Sequence, residues 1–147
     1  MKLCLVASSG GHYEQIMKIS KLFTKYEGII VTEKTMINNK ADYYFPQVNR
    51  KELSCIIKML KIIIISIKIL LFEKPDAIIS TGALCCVPLC FLGKVIGKKI
   101  IFIESFAKVN TPTKTGKLIY KISDLFIIQW ETLRKHYPKA IYGGSIY

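Results

Sequence analysis

Arginine is almost missing from this chain of 147 residues. Arg50 and Arg134 are the only two, although lysine and arginine together number 22 against 10 acidic residues. The formal charge of +12 is therefore a lysine charge. A charge of that size asks for an anionic partner, whether nucleic acid, an acidic membrane surface or a phosphorylated substrate. The scarcity of arginine speaks against nucleic acid, because base readout and minor-groove insertion rely on the guanidinium group. Histidine is scarce too: His12 and His136 stand at no ligand spacing, and the five cysteines (Cys4, Cys55, Cys85, Cys86 and Cys90) contain no C-x-x-C. No metal site or cofactor is expected from them, and they read as small apolar residues of a reducing compartment. There is no G-x-G-x-x-G and no acid that reads as closing the second strand, which weakens a dinucleotide-binding reading. The first apolar run is broken after Ala7 by Ser8-Ser9-Gly10-Gly11, so it is too short for a signal peptide and the cytoplasm is the expected compartment. Repeats, linkers and low-complexity tracts are absent as well, which leaves one domain over residues 1–147.

Apolar residues, at 51%, are plentiful enough for a core. Leu3–Ala7 reads as a buried strand, and Tyr13, Ile16, Ile19, Phe23 and Tyr26 recur at helical spacing until Gly28. Further strands are expected at Ile29–Val31, Tyr43–Phe45, Ala77–Ser80, Ile100–Ile103 and Leu125–Ile128. Helices are expected from about Lys51 to Phe72, from Leu84 to Ile96 and near Gly116 to Ile122. Strands apolar on both faces, separated by helices, mean an α/β protein: a Rossmann-like parallel sheet with helices on both faces.

The turn between the first strand and its helix is the most informative segment. Ser9, Gly10 and Gly11 let the backbone turn tightly and aim several N–H groups at one spot, where the helix dipole also favours an anion. His12 stands at its edge, within reach of a phosphate or a sugar hydroxyl. Taken alone, these residues fit an ordinary glycine turn as well as a phosphate cradle. Ligands of doubly wound sheets sit at strand C-terminal ends, which adds Thr81 and Gly82 after the fourth strand and Glu104, Ser105 and Lys108 after the fifth. Glu104 suits sugar hydroxyls, but equally a helix cap or a pair with Lys108. Thr115 and Gly116 open another helix, as phosphate ligands or as ordinary capping, and Arg50 is either a diphosphate ligand or a solvated charge.

Cys55–Phe72 is apolar enough to raise the question of a membrane span. Eighteen residues at about 1.5 Å each nearly cross a bilayer core. Lys58, Lys61 and Lys68 weigh against spanning at about 2.5–3.5 kcal/mol each. On a helical wheel the three lysines share one sector of about 80°. Such a helix reads either as an interfacial one, with Ile64 and Ile65 toward lipid and the lysines at lipid phosphates, or as a core-covering helix with a solvated stripe.

Several segments occur together in a telling order: Ser9-Gly10-Gly11-His12, Pro75-Asp76, Ser80-Thr81-Gly82-Ala83 with Pro88, Ile103-Glu104-Ser105-Phe106-Ala107-Lys108-Val109, Thr115-Gly116-Lys117-Leu118, Ser123-Asp124-Leu125-Phe126, Gln129-Trp130 and Tyr137-Pro138. Nearly end to end, the series resembles the acceptor-side subunit family of the two-protein glycosyltransferase that adds the second N-acetylglucosamine to dolichol-linked oligosaccharide. It looks most like that family's bacterial members in capsule and exopolysaccharide biosynthesis. A weaker similarity extends to the N-terminal half of the glycosyltransferase that acts on lipid I. The resemblance implies half of a GT-B glycosyltransferase, inactive alone, that holds a polyprenyl-diphosphate-linked saccharide acceptor. A separate donor-binding subunit would supply a UDP-sugar at the cytoplasmic face of an anionic membrane. It further implies that His12 deprotonates the acceptor or holds its diphosphate, with Glu104 as second candidate. Lys108 stands where the family often has arginine and Lys121 where it often has proline, so any phosphate contact there is a point charge. The short apolar tail, Tyr142 to Tyr147, is a candidate for pairing with the partner. The rival readings are a stand-alone nucleotide or phosphosugar-binding module and a non-catalytic membrane scaffold.

Overall fold

The computed structural model describes residues 1–36, 40–49 and 52–147. Its elements are β1 (Lys2–Ala7), α1 (Gly11–Ile19), β2 (Glu27–Glu33), β3 (Tyr43–Phe45), α2 (Cys55–Phe72), β4 (Ala77–Gly82), α3 (Val87–Val95), β5 (Lys99–Ile103), α4 (Lys114–Tyr120), β6 (Leu125–Ile128) and β7 (Ile141–Tyr142). The seven strands form one sheet in the order β3-β2-β1-β4-β5-β6-β7. Every pairing is parallel. The order reverses between β1 and β4, so the C-terminal ends of those strands flank the crevice where such sheets place ligands.

Side-chain alternation along β1 divides the core. Cys4 and Val6 point to a layer built with α2, α3 and α4, whereas Leu3, Leu5 and Ala7 pack with Ile16 of α1 on the other face. Ile62 and Ile69 of α2 and Ile16 are fully buried, each stabilising the fold by about 1.5–3 kcal/mol through loss of apolar surface from water. Cys4, Cys85, Cys86 and Cys90 are buried free thiols of the same core. Burial pushes the Cys4 and Cys90 thiols well above their ordinary range, which keeps them neutral.

The strands expected from the sequence are present, with three differences. β2 is longer than its apolar centre and ends in buried Thr32 and Glu33, whose polarity disguised them as loop. An acid therefore does close the second strand, contrary to the sequence reading. β7 has only two residues, both exposed, and carried no periodic signal. The first helix stops at Ile19 and continues as a 3₁₀ turn to Thr24.

At the end of β4 the pairing with β1 skips a residue. Val6 faces Ser80 but Ala7 faces Gly82, which leaves Thr81 as a bulge beside α1. That bulge places the groups described next.

Candidate functional site

Gly10 is the residue on which the first turn depends. It holds φ of +73° at the N-cap of α1, a left-handed conformation open to glycine at little cost. The chain then enters α1 with its N-terminus at the sheet edge. The Glu14 N–H is the first of the helix to find an acceptor, on Gly10 O at 3.1 Å. The N–H groups of Gly11, His12 and Tyr13 have no acceptor among the described residues, leaving three donors at the positive end of a helix dipole.

Glu33 closes one side of this cradle. Its Oε2 accepts from the Ser9 N–H and Oγ, both at 3.3 Å, and its Oε1 accepts from the Val48 N–H. Gly82 closes the other. With φ of +107°, it lies so near the His12 ring that a Cβ there would stand 3.1 Å from Cε1. Its carbonyl accepts from the Ser8 N–H at 2.8 Å, and the Thr81 Oγ1 donates to His12 O at 2.8 Å. Thr81 and Gly82, expected as phosphate ligands, are thus turned inward. They hold His12 and the turn before α1 in place.

His12 is half-buried, and its Nδ1 is buried without a hydrogen-bond partner among the described residues. Burial lowers its pKa below the ordinary 6.5, with the Thr81 backbone, Glu104 and Glu33 pulling the other way. The imidazole is therefore neutral at pH 7, able to take a proton or to hydrogen-bond a phosphate oxygen.

Glu104 belongs to a second cluster with a different task. It is fully buried, and its carboxylate accepts from the Ser105 N–H at 2.8 Å, the Thr113 Oγ1 at 2.8 Å, the Thr113 N–H at 3.2 Å and the Tyr137 hydroxyl at 2.6 Å. Four donors occupy both oxygens, so reading Glu104 as catalytic gives way to reading it as the bracket of the loop after β5. Burial and the Glu104 carboxylate raise the Tyr137 pKa, which keeps that hydroxyl a donor. Ser105, Thr115 and Gly116 are buried in the same bracket, and Gly116 donates its N–H to the N-cap Thr113 Oγ1 at 2.7 Å. The Gly116 N–H is thereby taken up within the bracket. Lys108 is exposed on the bracketed loop, and Arg50 lies outside the described residues.

The bracket and the cradle are joined through two buried amides: Gln15, which sequence reading passed over, and Gln129, which it noted only as part of the Gln129-Trp130 segment. Gln129 Nε2 donates to Gln15 Oε1 at 3.0 Å and to Glu104 O at 2.9 Å, while its Oε1 accepts from the Ile146 N–H at 3.0 Å. The C-terminal tail is thereby drawn across α1, and the Tyr147 hydroxyl donates to Gly11 O at 3.3 Å.

Comparisons with known proteins give this geometry a family. A model described as oligosaccharide biosynthesis protein Alg14 like matches residues 45–146. The chain belongs to that family. Similar curated proteins are named UDP-N-acetylglucosamine transferase subunit ALG14. The protein from Candida albicans is 31% identical, with 99% of this chain and 78% of that protein covered, and the one from Rattus norvegicus is 29% identical over 98% and 82%. Among solved structures, Acinetobacter baumannii MurG superposes with a TM-score of 0.72 at 14% identity, over 90% of this chain and 43% of that one. A UDP-GlcNAc 2-epimerase from Neisseria meningitidis superposes with 0.74 at 14%, over 99% and 47%. The Alg14-like chain thus spans less than half the length of these solved structures and shares their Rossmann-like fold. The family-like Ser9 to His12 segment and the Glu104 to Val109 segment meet at one end of the sheet, as a ligand crevice requires.

The residues expected to contact a membrane lie on α2, where an exposed apolar stripe stands out. Ile56, Leu60, Ile64, Ile67 and Leu71 are 42–73% exposed, and at about 100° per residue they lie within roughly 80° of one another. Phe91 and Val95 of the adjoining α3 are exposed as well. Lys61 and Lys68 are exposed along the border. Two expected contacts fall elsewhere: Ile65 packs against the core, and Lys58 pairs with Glu52. Among the described residues no helix is long and apolar enough to cross a membrane, and no group of His, Cys, Asp or Glu could hold a metal ion.

Proposed function

We propose that this chain is the acceptor-binding subunit of a two-component UDP-sugar glycosyltransferase, with a polyprenyl-diphosphate-linked saccharide as acceptor. The observation that carries the reading is the cradle: three unpartnered α1 N–H groups beside a neutral His12 held by Gly82 and Thr81. Free N–H groups at a helix start suit a diphosphate, and a neutral imidazole suits a hydroxyl that must lose its proton as it attacks the donor sugar. His12 takes that proton or fixes the diphosphate. Relatives named as transferase subunits support a separate donor-binding chain.

The exposed α2 and α3 stripe serves as the membrane contact. Apolar side chains enter the interfacial region while Lys61 and Lys68 meet anionic headgroups, each worth about 1 kcal/mol near such a surface. The protein then sits peripherally on the cytoplasmic face, where lipid-linked acceptors present their sugars. The polymer we assign is a lipid-linked precursor of capsule or exopolysaccharide, a reading supported by the sequence resemblance to bacterial members.

Co-expression tests the proposal. The chain alone, its donor-binding partner alone and both together are assayed for transfer from UDP-sugars to a polyprenyl-diphosphate saccharide. Transfer with both and neither alone is the expected result. Full activity of this chain by itself, or of the partner without it, contradicts the proposal.

A further inference from the structure

Carboxylates are few in this chain, and nearly all have a structural task. Glu73 pairs with Lys2, Glu52 with Lys58, Asp124 with Lys94 and Glu131 with Arg134. Asp42 and Asp76 accept from the Ile30 and Lys2 N–H groups, and Glu33 and Glu104 are buried and hydrogen-bonded. Glu27 lies at the far end of the sheet, opposite Lys2. Glu14 alone faces the site without a hydrogen bond or ion pair among the described residues, although Lys18 follows one turn later on α1.

A first-turn glutamate complements the helix dipole, but that does not explain what surrounds it. Glu14 lines a cleft of about 420 Å³ with Ser9, Gly10, Tyr13, Thr35, Met36 and Gln47, within the ordinary span of small-ligand sites of roughly 300–1,000 Å³. Ser9 and Gly10 belong to the cradle as well, so the cleft opens directly from the place assigned to the diphosphate. Its described lining contains hydroxyls, an amide, a carboxylate and the Met36 side chain, and neither lysine nor arginine. In a chain of net charge +12, a cleft whose described lining offers a carboxylate and hydroxyls beside an anion cradle suits a neutral, hydroxyl-rich group better than a second anion. A carboxylate accepts from such hydroxyls with shorter, stronger bonds than a neutral acceptor does, and its two oxygens can serve neighbouring hydroxyls together.

We infer that Glu14 reads the hydroxyls of the acceptor sugar nearest the diphosphate, and that this cleft is the sugar's subsite. The inference rests on the cradle reading above and adds the residue that makes the acceptor a glycosylated diphosphate and not a bare one. Glu14 is exposed, so its replacement leaves the core intact.

Calorimetric titration of the full chain with citronellyl diphosphate and with its N-acetylglucosaminyl and glucosyl conjugates tests it. The wild type should bind at least one sugar conjugate tenfold or more tighter than the bare diphosphate. In Glu14→Gln and Glu14→Ala that ratio should fall below two, with unchanged melting temperature. A ratio retained in both variants overturns the inference while the cradle reading stands, as does a wild type without any sugar preference. A wild type that binds neither bare diphosphate nor conjugate overturns the cradle reading and the inference with it.

Discussion

His12 is poised by packing and not by a charged partner. Its ring lies against Gly82, its carbonyl is held by Thr81, and burial is the largest influence on its titration. Because the folded protein binds this proton more weakly than the unfolded chain, folding stability from His12 is fully present above pH 6.5 and declines as pH falls below it. The same shift sets the rate profile. With His12 acting in its neutral form, the acid limb of acceptor turnover should have its inflection below 6.5 and should vanish in His12→Ala. A limb centred above 6.5 would mean that another group governs it. The turn at Gly10, Gly11 and His12 was legible in the sequence, because glycines between a buried strand and a helix mark a tight turn, though from these residues alone an ordinary turn and a cradle read alike. Glu33 and Gln15 were not, and Gln129 was noted only within its motif and not for its role, since a buried polar residue reads as loop or surface until its partners are known.

At the scale of elements, two pieces carry different tests. The first is the Glu104 bracket, in which α4 approaches β5 so closely that only glycine fits at position 116. A Cβ there would stand 2.1 Å from Glu104 Oε2 and 2.6 Å from the Tyr137 hydroxyl. Gly116→Ala should therefore break a buried charged network and cost about 3–5 kcal/mol, the scale of disrupting a buried ionic group. Chemical denaturation checks this, and a loss below about 1 kcal/mol would show that the bracket relaxes freely. The second is α2. Its hydrophobic pattern was plain in the sequence, but periodicity could not say which apolar residues faced inward, because the helix is apolar nearly all round. Ile65 was assigned outward and packs inward; Leu60 and Ile67 went unremarked and are exposed. A Leu60→Asp, Ile64→Asp double variant should fold with a near-normal melting curve yet stay at the bottom of a flotation gradient with anionic liposomes at low salt, where the wild type rises. Flotation of the variant like the wild type would remove α2 from the membrane contact.

At the scale of the molecule, one end of a parallel sheet gathers the cradle, the Glu104 bracket and the tail that crosses α1. The fold was largely legible from buried strands alternating with helices, because apolar strands of this kind have few alternatives to a covered parallel sheet. The site was legible only in part. Spacing brought the loops after β1, β4 and β5 to one end of the sheet, but only hydrogen bonding shows that Thr81, Gly82 and Glu104 are engaged within the protein, while the first N–H groups of α1 have no acceptor among the described residues. The central claim is that the acceptor is held here, on this chain. Acceptor kinetics of the reconstituted two-chain enzyme with His12→Ala in this subunit test it most directly. The account predicts a fall of at least a hundredfold in kcat/KM for the lipid-linked acceptor, about 2.7 kcal/mol of transition-state stabilisation, with the KM for the UDP-sugar unchanged. Acceptor turnover within twofold of the wild type in the folded variant would contradict it.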